Sequence, residues 1–196
     1  DFFEKNKSYS DLYKGIRHAK AGRNKLAEKT YKNVLSKDNE NVDALRLLGL
    51  LAFKNNNHDI AEQLLIKAIR IDPYFHLLWD NLAKVFRVQN KLEDSKKAFE
   101  NLIKLDPSNN EAFVALGTIY NKLAQYKDGI NSYKKALKLN DNNPRVYLSM
   151  GHALKTLGNR KECEDSYLKA IKLFPLSGEG YWSLANLKTY KFNDNQ

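Results

Sequence analysis

The chain has little of what most specialised chemistries require. It holds one cysteine, Cys163, so an internal disulfide framework and a multi-cysteine metal site are both excluded, and a reducing compartment such as the cytoplasm is expected. Its four histidines, His18, His58, His76 and His152, are scattered; no H-E-x-x-H occurs, and each is expected at the surface. No glycine-rich phosphate cradle is present. Long apolar runs are missing too: the richest, "ALRLLGLLAF", is shorter than the roughly 18 to 20 residues that span a bilayer and carries Arg46. No membrane partner is therefore expected. The opening "DFFEKNK" begins with Asp and has neither an apolar core nor a small-residue cleavage site, so it reads as a cut or processed start.

Catalysis finds no footing either. Glu162 and Asp165 share one helix face, where their spacing suits two solvated charges better than an acid and a base. No nucleophile, base and orienting group can be nominated together, so no catalytic, cofactor-binding or metal-binding residue is assigned and no cofactor is expected.

What is present is charge and a period. The balance of 33 basic to 23 acidic residues gives a net charge of +10, which favours polyanions or acidic peptides where it clusters. Segments such as "KNKSYSDLYK" and "KKALKLNDNNPR" mix both signs, so a solvated face is the expected use of most of it. The period is 34 residues. Pro73, Pro107 and Pro175 fit one ladder, with Asp141 on the rung that lacks proline and Asn39 one rung earlier. Gly15, Gly49, Ala83, Gly117, Gly151 and Ala185 keep the same beat, marking places where two helices approach too closely for a large side chain. Ala27, Ala61, Ser95, Gly129 and Cys163 form a second small phase, in which Cys163 is a packing residue. Bulky residues fill the complementary phases: Leu45, Trp79, Phe113, Tyr147 and Tyr181 in one, Tyr31, Leu65, Phe99, Tyr133 and Tyr167 in another. Apolar spacing of three and four residues breaks at "KNNNHD", "QNK", "AQY" and "LGNRK" and then resumes, which is helix, turn, helix. Pro144 after Asn143 fits a first helical turn, where its missing N–H is no loss.

Trp79, Leu82, Ala83, Phe86, Ser95, Phe99 and Pro107 together resemble the W-x2-L-G-x2-Y, A-x3-F, P pattern of tetratricopeptide repeats. The resemblance implies an all-α fold, a right-handed α-solenoid of helix-turn-helix repeats. It covers five repeats, 8–41, 42–75, 76–109, 110–143 and 144–177, after an extension at 1–7; the first helix of a sixth repeat, or a junction helix, follows at 178–190, with a tail at 191–196. In the first repeat Asp11, Lys14 and His18 hold phases that are apolar elsewhere, which suits a polar terminal cap.

In such arrays the first helix of each repeat lines an inner groove, so the resemblance implies a lining as well. Its members are Arg46, Leu50, Lys54, Asp80, Lys84, Arg87, Asn121, Lys122, Arg145, His152, Lys155, Trp182, Asn186 and Tyr190. The lining leans basic, which suits a protein or extended peptide with acidic groups. Two specialised forms of the family fit poorly. The carboxylate clamp for chaperone tails would want polar groups where Leu47 and Leu50 stand, and the asparagine ladder of sugar-transferring relatives, matched at Asn81, meets Leu47, Ala115, Ser149 and Ser183 at its other rungs.

The last segment, "GEGYWSLANLKTYKF", carries Trp182 and Leu187 beyond what packing onto the fifth repeat requires. From Pro175 to Phe192 it also resembles the junction at which bacterial tetratricopeptide arrays lead into a sulfotransferase domain. The resemblance implies a non-catalytic, N-terminal repeat region of such an enzyme, with the catalytic domain after Gln196. A free-standing adaptor is the alternative; a homodimer contact through the last helix is a further use of it, and nucleic-acid binding through the basic excess is the least expected.

Overall fold

The computed structural model describes residues 2–187, and they form helices joined by short turns. The chain divides into two compact units, Asp1–Leu105 and Asp106–Gln196. The first holds α1 (Phe2–Lys20), α2 (Asn24–Lys37), α3 (Val42–Lys54), α4 (His58–Ile71), α5 (His76–Val88) and α6 (Leu92–Leu105). The second holds α7 (Asn110–Lys122), α8 (Tyr126–Leu139), α9 (Pro144–Thr156), α10 (Arg160–Leu173) and α11 (Gly178–Ala185). Because α1 starts at Phe2, most of the stretch expected as an extension continues the first helix. The expected helix at 178–190 is described to Ala185 and its following turn; residues 188–190 and the expected tail lie outside the described residues.

One turn, used five times, makes the hairpins. Gly22, Asn56, Asn90, Ala124 and Gly158 all take positive φ, from 57° to 77°, and the second helix begins two residues later each time. The next amide reaches back to the first helix: Asn57 N–H to the Ala52 carbonyl at 2.9 Å, Gln125 N–H to that of Tyr120 at 2.8 Å. Such a left-handed residue closes off the helix end and satisfies its last carbonyls. Between hairpins another device recurs. Asp38, Asp72, Asp106 and Asn140 each accept from the backbone N–H two residues on, at 3.0–3.2 Å. Asn41, Asn109, Asn143 and Ser177 then cap the next helix by accepting from the N–H three residues on. Phe75 holds the equivalent place without a capping bond, and its ring instead receives the Arg46 guanidinium, 5.5 Å from the centroid.

Each hairpin closes by setting a bulky side chain of its second helix on a small residue of its first. In the second unit a Cβ at Gly117 would lie 2.6 Å from the Tyr133 ring, and one at Gly151 would collide with that of Tyr167. In the first unit Gly15 faces Tyr31 in the same way, whereas Gly49 faces the softer Leu65, 3.2 Å from an added Cβ. At Ala83 the Ser95 hydroxyl donates to the backbone carbonyl at 2.8 Å. Tyr31, Leu65, Phe99, Tyr133 and Tyr167 are all buried, each contributing about 1.5–3 kcal/mol of hydrophobic stabilisation. Cys163 is buried in the core of the second unit with Tyr167, Ala170 and Leu184.

Two expectations change. Trp79 is only half-buried, because its indole N–H donates to the Pro73 carbonyl at 2.8 Å and so holds the ring at the hairpin's edge. His18, His58 and His76 are half-buried rather than at the surface; the His58 ring packs 5.4 Å from that of Phe53, and only His152 is exposed. Within the units the first helices also touch one another, α1 with α3, α3 with α5, and α7 with α9, which brings their outward positions onto neighbouring surfaces.

Candidate functional site

In the second unit a cleft of about 460 Å³ is lined by Val114 and Thr118 of α7, by Asn143 and five residues of α9 from Arg145 to His152, and by Glu179 of α11. Its geometry starts at Pro144, whose ring fits the first turn of α9 while Asn143 caps it. From that start Arg145, then Leu148 and Ser149, then His152 fall on successive turns of one helical face. Thr118 is held in place: its hydroxyl donates to the Val114 carbonyl at 3.0 Å and accepts from the Tyr133 hydroxyl at 3.3 Å. Burial pushes the Tyr133 phenol up, against the opposing pull of its bonds to Thr118 and Ser149. Asn121 ties α7 to α9 by donating to the Ser149 carbonyl at 3.4 Å.

At the far end a chain of three side chains from three helices runs from the core to the cleft, of which His152 and Glu179 line it. Tyr167 of α10, which is 0% exposed, lies with its hydroxyl 3.0 Å from His152 Nδ1. His152 Nε2 lies 3.6 Å from Glu179 Oε1. Burial raises the Tyr167 pKa well above the usual phenol value, and the neighbouring Cys163 and Glu179 push in the same direction. The phenol therefore keeps its proton, and its hydroxyl pairs with Nδ1 as donor or acceptor according to the ring's tautomer; when it donates, the N–H of a neutral His152 ring lies on Nε2, facing Glu179. Arg145, at the other end of the face, is exposed and has no ion pair among the described residues. The charged groups of the cleft are thus Arg145, Glu179 and, when protonated, His152.

Of the residues expected from sequence, the cleft brings together Arg145 and His152, with Asn121 behind them. Lys122, Lys155 and Asn186 are exposed outside its lining, as is Trp182, at 69%. Tyr190 lies outside the described residues. The residues missed are Val114 and Thr118 of α7, Asn143, Val146, Leu148 and Ser149 at the start and along the face of α9, and Glu179 of α11. The period itself pointed to three of them, since Val114 and Leu148 share the phase of Arg46 and Asp80, and Thr118 shares that of Leu50 and Lys84.

The first unit treats its expected lining differently. Arg46 has 18% of its side chain exposed, is 3.3 Å from Asp43 Oδ1 and lies over the Phe75 ring. Lys84 Nζ sits 2.7 Å from Asp80 Oδ2. Leu50 is half-buried, and Lys54 and Arg87 are exposed at the ends of α3 and α5. Two of the four cations expected there are consumed by acids on their own helices.

Burial also pushes the Cys163 thiol up, which disfavours the thiolate a nucleophile needs. Among the described residues no cluster of histidine, cysteine or carboxylate could hold a metal, and no helix is long and apolar enough to cross a membrane.

Family models agree with the repeat pattern. Models described as tetratricopeptide repeat match residues 13–74, 77–109 and 144–175, and one described as TPR repeat matches 117–158. No curated protein matches the chain. Solved structures share its fold. A crystal structure of MamA is 24% identical with a TM-score of 0.77, the match covering 81% of this chain and 93% of that one. Another crystal structure of MamA protein is 22% identical with a TM-score of 0.79, covering 95% and 98%. YrrB, described as a TPR protein with an unusual peptide-binding site, is 15% identical with a TM-score of 0.81, covering 92% and 94%.

Proposed function

The chain belongs to the tetratricopeptide repeat family, whose helix-hairpin solenoids are non-catalytic protein-binding scaffolds, and on that premise we propose that the cleft between α7, α9 and α11 binds an extended peptide segment carrying an acidic side chain. The observation that carries this reading is an exposed Arg145, without an ion pair among the described residues, at one end of an apolar floor made by Val114, Val146 and Leu148. Such a guanidinium offers a carboxylate two parallel N–H donors, and the floor takes an apolar neighbour of that acid. YrrB, of like fold, supports a peptide as the ligand class, in keeping with its description.

The test is binding to an immobilised peptide array by wild type, Arg145→Glu, and the double variant Arg46→Glu with Lys84→Glu. Reversing the Arg145 charge is expected to lower binding to acidic peptides by at least about tenfold, because it sets like charges together. The double variant in the first unit is expected to change it by less than about threefold. The opposite ranking rejects the cleft.

A second reading concerns α11. Trp182 at 69% and Leu176 at 87% exposure leave apolar surface there, in the segment resembling the sulfotransferase junction. A sulfotransferase domain that continues this chain would cover it, making the repeats the region that positions the acceptor or a partner. Sequencing the gene past Gln196 decides this: a donor-phosphate loop supports it, and an immediate stop leaves an adaptor in which Trp182 serves a partner or a second copy.

A further inference from the structure

We propose that Glu179 and His152 form a charge selector for the cleft, so that an acidic segment is held weakly while His152 is neutral and more tightly once it is protonated. The proposal rests on the cleft being the peptide site. With His152 neutral, the lining carries one positive group, Arg145, and one negative group, Glu179, and the carboxylate repels the ligand that Arg145 attracts. Protonating His152 places a cation 3.6 Å from the Glu179 carboxylate and leaves the lining with a net positive charge.

The surrounding groups favour Nε2 as the side that acts. On α10, Tyr167 occupies Nδ1 at 3.0 Å, with the buried Cys163 thiol beside it. From α7 only Val114 and Thr118 reach the cleft, and neither ionises. On α9 itself Arg145 and Lys155 are cations, Arg145 two turns away on the same face and Lys155 outside the lining. α11 carries two ionisable side chains, Glu179 and Tyr181, of which Glu179 alone lines the cleft; its side chain is 68% exposed and free to turn toward either His152 or the ligand. Tyr167 accepts from Nδ1–H in the charged state as readily as it donates to Nδ1 in the neutral one, because a hydroxyl can do both. The ring therefore changes charge without losing its anchor.

The experiment is fluorescence anisotropy with a short labelled peptide alternating aspartate and leucine. It is read at about pH 5.5 and about pH 8, which bracket the range in which imidazole changes charge while the probe stays ionised. Wild type is expected to bind about threefold to tenfold more tightly at the lower pH, a size that suits one partly exposed charge pair. Glu179→Gln is expected to bind at about pH 8 nearly as well as wild type does at about pH 5.5, and to tighten further at the lower pH, where His152 still adds a cation. His152→Gln is expected to be flat, at the weaker level, and circular dichroism checks that its α9 and α10 remain folded. Binding that is abolished by Arg145→Glu yet independent of pH in wild type overturns the selector while the cleft stands. Binding absent at both pH values, or unaffected by Arg145→Glu, removes the cleft and the selector together.

Discussion

The two units build hairpins from the same parts and put different things on them. In the first, Arg46 and Lys84 are neutralised by Asp43 and Asp80, three and four residues away on their own helices, and Arg46 is further covered by Phe75. In the second, Arg145 is exposed at the head of α9 with no ion pair among the described residues, and the acid of the cleft lining, Glu179, comes from another helix and faces a histidine. A repeat can therefore keep its spine and change its readiness to bind by moving one acid along a helix. A cation already paired within its own helix offers a ligand little, because the new contact must first break the old one.

The comparison extends to packing, where the largest effect is expected. Gly151→Ala is expected to destabilise the second unit by about 1–3 kcal/mol, since the added methyl meets a Tyr167 ring that is fully enclosed. Gly49→Ala is expected to stay within about 1 kcal/mol of wild type, because helix propensity favours alanine and Leu65 has only to yield slightly. Urea denaturation of the two variants measures the contrast. Equal losses would mean that tyrosine and leucine knobs are equally rigid.

A smaller effect sharpens the same contrast at the turns. Ala124 alone among the five left-handed positions is neither glycine nor asparagine, so Ala124→Gly is expected to stabilise the second unit by about 0.5–1 kcal/mol. Asn90→Gly in the first unit is expected to change stability by only a few tenths of a kcal/mol, since asparagine tolerates that conformation. Thermal unfolding of both variants reads the difference, and a destabilised Ala124→Gly would contradict the strain assigned to that turn.

The spine was legible because close packing repeats. The 34-residue beat of Gly117 and Gly151 against Tyr133 and Tyr167 is a one-dimensional record of a contact made once per hairpin, and burial leaves few substitutes for it. The turns were visible only as breaks in periodicity, although Gly22, Asn56, Asn90 and Gly158 are the residue types a left-handed position selects. The site was harder to read. Attention to charge picked out Arg145 and His152 but passed over Val114, Thr118 and Leu148, which lie in the same repeating phases and make the floor. Pairing within a helix was open to view, since Asp80 and Lys84 are four apart. Arg145 also follows an acid, Asp141, by four residues, but Asp141 precedes Pro144 in the loop, where helical spacing does not apply. The Tyr167–His152–Glu179 chain joins three helices, and no local spacing announces it.

Hydrogen exchange of the whole chain, with and without the aspartate–leucine peptide at about pH 5.5, tests the placement of the site most directly. Added protection is expected in α7, α9 and α11, with α3 and α5 unchanged. Protection confined to α3 and α5 would put binding on the internally paired helices and contradict the account.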